Sequence, residues 1–182
     1  MPSFKTSIVL ATLCGGSALL LSELMTVRPP ENIAPLQSEL HEGSVLPEIS
    51  FDAIDKSVTP FAKIAAPITV ITFWASWCDA CMEEMPSLVQ LAKSYPSTEL
   101  QVIGVSVDDS PESAIPRTKA RFSIDFPLFT DTSGRLSDLF AVRAIPRTVV
   151  LNKNRKVLMM QHGGEDWNAP AFHNQIKQWL GK

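Results

Sequence analysis

Residues 73–86 read FWASWCDACMEEMP, with Cys78 and Cys81 two residues apart between a tryptophan and an acidic pair. Just upstream, residues 67–74 (PITVITFW) are apolar and β-branched, the composition of a buried central strand. Just downstream, Met85, Leu88, Ala92 and Tyr95 recur at helical spacing, so residues 78–94 are expected to form a helix, kinked at Pro86. A strand that runs into a helix at Cys-x-x-Cys puts Cys78 at a helix N-terminus. There the unpaired N–H groups and the positive end of the helix dipole favour a thiolate, and cysteines in such settings have pKa values of roughly 3.5–7.5 instead of ~8.5. Cys78 is therefore the natural nucleophile. Cys81, one turn further on, is within reach to resolve a mixed disulfide formed at Cys78.

The neighbours of this pair carry competing readings. Asp79 raises the pKa of both sulfurs by its charge, or serves only as an acid in a first helical turn. Glu84 lies three residues beyond Cys81. Turned inward, it sits in an apolar setting that raises its pKa and suits it to accept the Cys81 proton; turned outward, it is a solvated acid, as Glu83 is expected to be. Trp74, in the strand, is expected in the core. Trp77 is either an apolar rim for a docking partner or a second core residue. Far downstream, residues 144–148 read AIPRT at the start of a strand. Proline is tolerated at a first strand position, and a cis Ile145–Pro146 bond would turn the chain and leave the Ile145 backbone open to pair with an extended peptide.

The rest of the chain alternates strands and helices. Residues 47–54 and 57–61 suggest a hairpin, 99–107 a buried strand, and 111–122 a helix interrupted at Pro116. Residues 125–129 suggest an extended piece, 134–140 a helix, and 146–151 and 156–161 two strands about a turn at 152–155. Residues 169–180 suggest a closing helix, and His162-Gly163-Gly164 a turn. Strands interleaved with helices imply an α/β fold around one mixed sheet with helices on both faces.

Of the 182 residues, 16 are Lys or Arg and 19 Asp or Glu, with no basic run, which argues against nucleic acid as a partner. Residues 1–5 (MPSFK) carry one cation and 6–21 (TSIVLATLCGGSALLL) no charge, so 1–27 is expected to be an export signal or an uncleaved membrane anchor. Cys14 lies within this segment. Lipidation there would want a small residue before it, and Leu13 is not one. Residues 28–43, with three prolines and no periodicity, form an expected linker to a domain at 44–182. That domain is large enough to bury a core without a disulfide staple. Structural zinc needs four ligands and catalytic zinc three, but His41, His162 and His173 are scattered, so no metal and no other cofactor is expected.

The blocks FWASWCDACMEEMP, VIGVSVDD, FPLFTD and AIPRTVVLNKNRKVL, in this order, resemble the TlpA/ResA-like family of membrane-tethered, extracytoplasmic thiol-disulfide oxidoreductases of the thioredoxin-fold superfamily. The resemblance covers residues 44–182. It implies a thioredoxin-like fold with an N-terminal β-hairpin and a central insertion, with Cys78 attacking, Cys81 resolving, Pro146 as a cis-proline facing the dithiol and Glu84 as an active-site acid. Trp77, Ile145 and Arg147 are the residues expected to contact substrate. Three departures stand out. Ala80 occupies a place that is often proline, which bears on the redox potential. Thr72 occupies the place of the buried aspartate of cytosolic thioredoxins, so a proton acceptor must come from elsewhere. Arg147 follows the proline where Thr or Glu is commoner. It either favours thiolates and acidic partners or is a solvated arginine at a strand start.

The expected function is reduction of disulfides in exported proteins, apocytochrome c among them, with re-reduction by a membrane thiol donor. The rivals are a thiol peroxidase, which would want Thr or Ser at position 75 where Ala75 stands, and a copper-binding or redox-inert adaptor. Related copper carriers use three residues between the cysteines and a positioned histidine.

Overall fold

The computed structural model describes residues 40–182; the expected signal or anchor at 1–27 and the linker through residue 39 lie outside the described residues. Residues 40–43, read as the end of that linker, touch the fold: Leu40 packs on the core, and the Gly43 N–H donates to the Val157 carbonyl at 2.8 Å.

The centre of the sheet is β3 (Ile68–Trp74), buried at every position as its apolar run requires. It pairs in parallel with β4 (Leu100–Ser106) and antiparallel with β6 (Arg147–Asn152). β7 (Val157–His162) follows β6 through a tight turn. On the other side, β5 (Leu128–Thr130) pairs with β4, and the expected N-terminal hairpin, β1 (Ser50–Asp52) with β2 (Val58–Pro60), completes the edge. The order is β2-β1-β5-β4-β3-β6-β7, a mixed sheet of the expected thioredoxin-like class.

Helices cover both faces. One face of β3 meets α2 (Asp79–Ser94), α3 (Pro111–Phe122) and α5 (Pro170–Trp179). The other meets α1 (Phe61–Ile64) and α4 (Arg135–Leu139). The period-2 alternation of a strand sorts the core: Ile68, Val70 and Trp74 go to the first face, Ile71 and Phe73 to the second.

Two local expectations need correction. The second hairpin strand stops at Pro60, and Phe61 opens α1 instead of ending the strand, because its ring is buried, 1% exposed, on the second face. α3 is not interrupted at Pro116. Proline there removes only the N–H that would reach the Glu112 carbonyl, and both residues are exposed, so water meets the freed group. Pro86 likewise lies inside an unbroken α2.

Gly104 shows how closely β4 is packed. A Cβ there would stand 2.5 Å from Leu128 Cδ2 and 3.0 Å from Trp74 Nε1, so a side chain would displace the neighbours that hold β3, β4 and β5 together.

Candidate active site

β3 ends at Trp74, and residues 75–77 carry the chain out of the sheet to Cys78, the N-cap of α2. The loop is pinned from β4. The Asp108 carboxylate, 5% exposed, accepts from the Ser76 amide at 3.0 and 3.1 Å, from the Ser76 hydroxyl at 2.7 Å and from the Ser106 hydroxyl at 2.8 Å. Asp108 escapes a sequence reading because its partner Ser76 is 32 residues away.

Cys78 and Cys81 are joined as a disulfide, with Cα atoms 5.2 Å apart, inside the usual range. The Cys81 N–H, one of the first unpaired amides of α2, donates to Cys78 Sγ at 3.2 Å. Cys81 is fully buried, while Cys78 keeps 8% of its surface. Cys78 is thus the less buried of the two and Cys81 the shielded one. Asp79 and Ala80 are both exposed on the first turn. Trp77 is 69% exposed beside Cys78, which removes the core reading and leaves a large apolar surface next to the reactive sulfur. Trp74 is in the core as expected.

Glu84 points inward. Its residue is 4% exposed, and its carboxylate is held by three donors: the Thr72 hydroxyl at 3.3 Å, the Glu165 amide at 3.3 Å and the Trp167 indole N–H at 3.2 Å. Burial pushes its pKa up to about 7, and the three hydrogen bonds pull against that rise. Thr72 on β3 and Glu84 on α2 are thereby joined by a hydrogen bond across 12 residues of sequence.

Two of the three donors come from the β7–α5 loop, which the sequence showed only as a turn. Trp167 is fully buried against Phe172, with ring centroids 4.9 Å apart. The signal for it was slight: a tryptophan in a polar segment, whose indole N–H needs a partner once buried. Ser87 locks the loop to α2 by accepting from the Trp167 amide at 3.1 Å and donating to the Glu84 carbonyl at 2.8 Å.

The Ile145–Pro146 peptide is cis. The Pro146 carbonyl accepts from Gly163 N–H at 3.0 Å, and the next residue, Gly164, lies against the Ala80 carbonyl, 3.6 Å from where its Cβ would be. This loop thus links the start of β6 to the first turn of α2. Neither backbone polar group of Ile145 has a backbone partner among the described residues.

Arg147 is neither solvated nor turned to the dithiol. It is 2% exposed and stands opposite Phe73 in register, on the sheet face away from α2. One-residue alternation decides this: Thr148 shares its side with Thr72, so Arg147 takes the other. Among the described residues there is no cluster of three or more His, Cys, Asp or Glu side chains placed to hold a metal, and no helix long and apolar enough to cross a membrane.

A redox-active pair at a helix N-terminus, a cis-proline leading into β6 and a mixed sheet behind define a thioredoxin-like thiol-disulfide centre. The chain belongs to the AhpC/TSA family, whose model matches residues 43–160. It is homologous to thiol-disulfide oxidoreductases of the ResA type. It is 27% identical over 106 residues to thiol-disulfide oxidoreductase ResA of Oceanobacillus iheyensis, covering 58% of this chain and 55% of that protein. It is 23% identical over 127 residues to ResA of Bacillus subtilis, covering 70% of each. The chain spans about half the length of the first of these relatives. Among solved structures, the fold is shared with StoA from Bacillus subtilis, at TM-score 0.58 and 20% identity over 75% of this chain and 98% of that one. It is also shared with the thioredoxin domain of a thiol-disulfide oxidoreductase from Bacteroides vulgatus, at TM-score 0.65 and 16% identity over 78% and 99%.

Proposed function

We propose that this protein is an extracytoplasmic thiol-disulfide oxidoreductase that reduces disulfides in other proteins. The observation that carries the reading is the Cys78–Cys81 pair at the N-terminus of α2, Cys78 8% exposed and Cys81 fully buried, with the Glu84 carboxyl held one turn further on. In the reduced protein, the Cys78 thiolate attacks one sulfur of a substrate disulfide. A mixed disulfide forms and the first substrate thiolate leaves. Cys81 gives its proton to Glu84 and attacks Cys78 Sγ. The mixed disulfide breaks, the second substrate thiolate leaves, and the Cys78–Cys81 disulfide remains. The substrate is thereby reduced by two electrons, and a membrane thiol donor restores the dithiol.

A carboxyl with a pKa of about 7 suits this step, because it can take a proton near neutral pH and release it again. Substrate is held by Trp77, whose exposed ring flanks Cys78, and by the open backbone of Ile145, which offers an extended segment a strand to pair with. Asp79 and Ala80 flank the sulfurs and bear on the potential of the couple. The apolar segment at 6–21 supports export or tethering at the outer face of the membrane, and apocytochrome c is a candidate substrate. The test is reduction of insulin by the reduced protein. Wild type is expected to precipitate the insulin B chain and Cys78→Ser to do no better than dithiothreitol alone; undiminished reduction by Cys78→Ser would refute the proposal.

A further inference from the structure

On the sheet face away from the dithiol lies a buried cation without an anion. The Arg147 guanidinium is 2% exposed, yet none of the ion pairs among the described residues involves it. Its Nη1 meets His162 Nε2. Its Nη2 has the Met160 thioether at 3.6 Å, a weak acceptor, and its Nε has no partner at all. A guanidinium offers two parallel donors along its Nε–Nη2 edge, the pair that a planar two-oxygen acceptor takes bidentately. That edge is the unsatisfied one. A buried donor left unpaired is costly, and a buried charge more so.

The space beside it has the shape and lining of a small-molecule site. Arg147, His162 and Met160 form one wall of a cavity of about 530 Å³, and Leu40, Leu46 and Leu139 line the apolar remainder. That volume lies within the range of about 300–1,000 Å³ for ligand pockets, and the lining mixes apolar side chains with Ser44, Asp138, Arg143, Arg147 and His162. Arg143 also lines the cavity, but it is ion-paired with Asp138 at 3.8 Å, so Arg147 is the cation left to meet a ligand.

We propose that this cavity binds an organic monocarboxylate, its two oxygens on the Nε–Nη2 edge of Arg147 and its apolar body against Leu40, Leu46 and Leu139. To seat it, the Met160 side chain moves off the guanidinium edge, a motion that a flexible thioether allows. A doubly charged phosphate is disfavoured, because the one buried guanidinium offsets a single negative charge and not two.

Hexanoate, which carries one carboxylate on a short alkyl chain, is the probe. Titrated into the intact protein, it is expected to give saturable shifts of the Arg147 Nε–H and Met160 methyl resonances. Arg147→Gln is expected to weaken binding about tenfold or more, and Arg147→Lys, which keeps the charge but loses the fork, to weaken it also. Inorganic phosphate is expected to bind more weakly than hexanoate. The proposal is overturned if these two resonances stay unmoved in wild type at millimolar hexanoate, a result that needs no variant to fold. It is equally overturned if Arg147→Gln binds as wild type does, or if phosphate binds as tightly as hexanoate.

Discussion

Two ionisable side chains are buried on opposite faces of one sheet, and the fold treats them differently. Glu84 lies behind the dithiol with three donors on its carboxylate. Arg147 lies on the far face with no anion and an orphaned Nε. They come within one residue of sharing a strand pair: Thr72, which donates to Glu84, stands opposite Thr148, and Phe73 stands opposite Arg147. The lesson is that burial alone does not mark a working group. Glu84 is supplied with enough polar contact that its pKa stops near 7, where both protonation states are accessible. Arg147 is given too little, which is the condition of a site awaiting a ligand.

The largest effects are expected at Glu84. Its pKa is about 7 in the fold against an ordinary 4.5, so between these pH values the folded protein binds a proton that the unfolded chain has lost. Its contribution to stability is therefore full below 4.5 and falls by about 3 kcal/mol as pH rises through 7. Glu84→Gln is expected to remove this decline in urea titrations of the oxidised protein across that range. A slope that persists in the variant would show that Glu84 is not the group responsible. The same variant is expected to slow resolution by Cys81 about 10²-fold while leaving the attack of Cys78 nearly unchanged. Rapid-mixing measurement of both steps decides it, and equal slowing of the two would break the assignment.

A smaller effect is expected across the sheet. If Arg147 is a cation without compensation, Arg147→Met removes a buried charge and keeps the aliphatic bulk. It is expected to raise unfolding stability by about 1 kcal/mol. A loss of comparable size in denaturant titrations would mean that the guanidinium is satisfied after all, and the contrast with Glu84 would fail.

The smallest effect sharpens the Glu84 side. Trp167→Phe deletes one donor to the carboxylate and keeps most of the ring packing against Phe172. The Glu84 pKa is expected to rise further above 7, by about one pH unit or less, read from carboxyl NMR shifts of the oxidised protein. An unmoved or lowered value would show that the indole does not stabilise the charged form.

What the sequence determined by itself is local. A β-branched apolar run meeting a helical repeat at Cys78 places the cysteine pair on a helix N-terminus, and alternation of strands and helices gives the class of fold. These signals lie within a few residues of one another, so periodicity exposes them. Even there, packing adjusted the edges: Phe61 left the hairpin for α1, and Pro116 did not stop α3. Only the tertiary structure decided which way the charges face. Spacing left Glu84 evenly poised between core and solvent. What turns it inward is Thr72 on β3 together with Glu165 and Trp167, some 80 residues downstream. Arg147 is neither solvated nor turned to the sulfurs, the two places its position in sequence suggests. The register of β6 against β3 fixes its side, and that register is set by strand pairing between segments more than 70 residues apart, which no local pattern encodes.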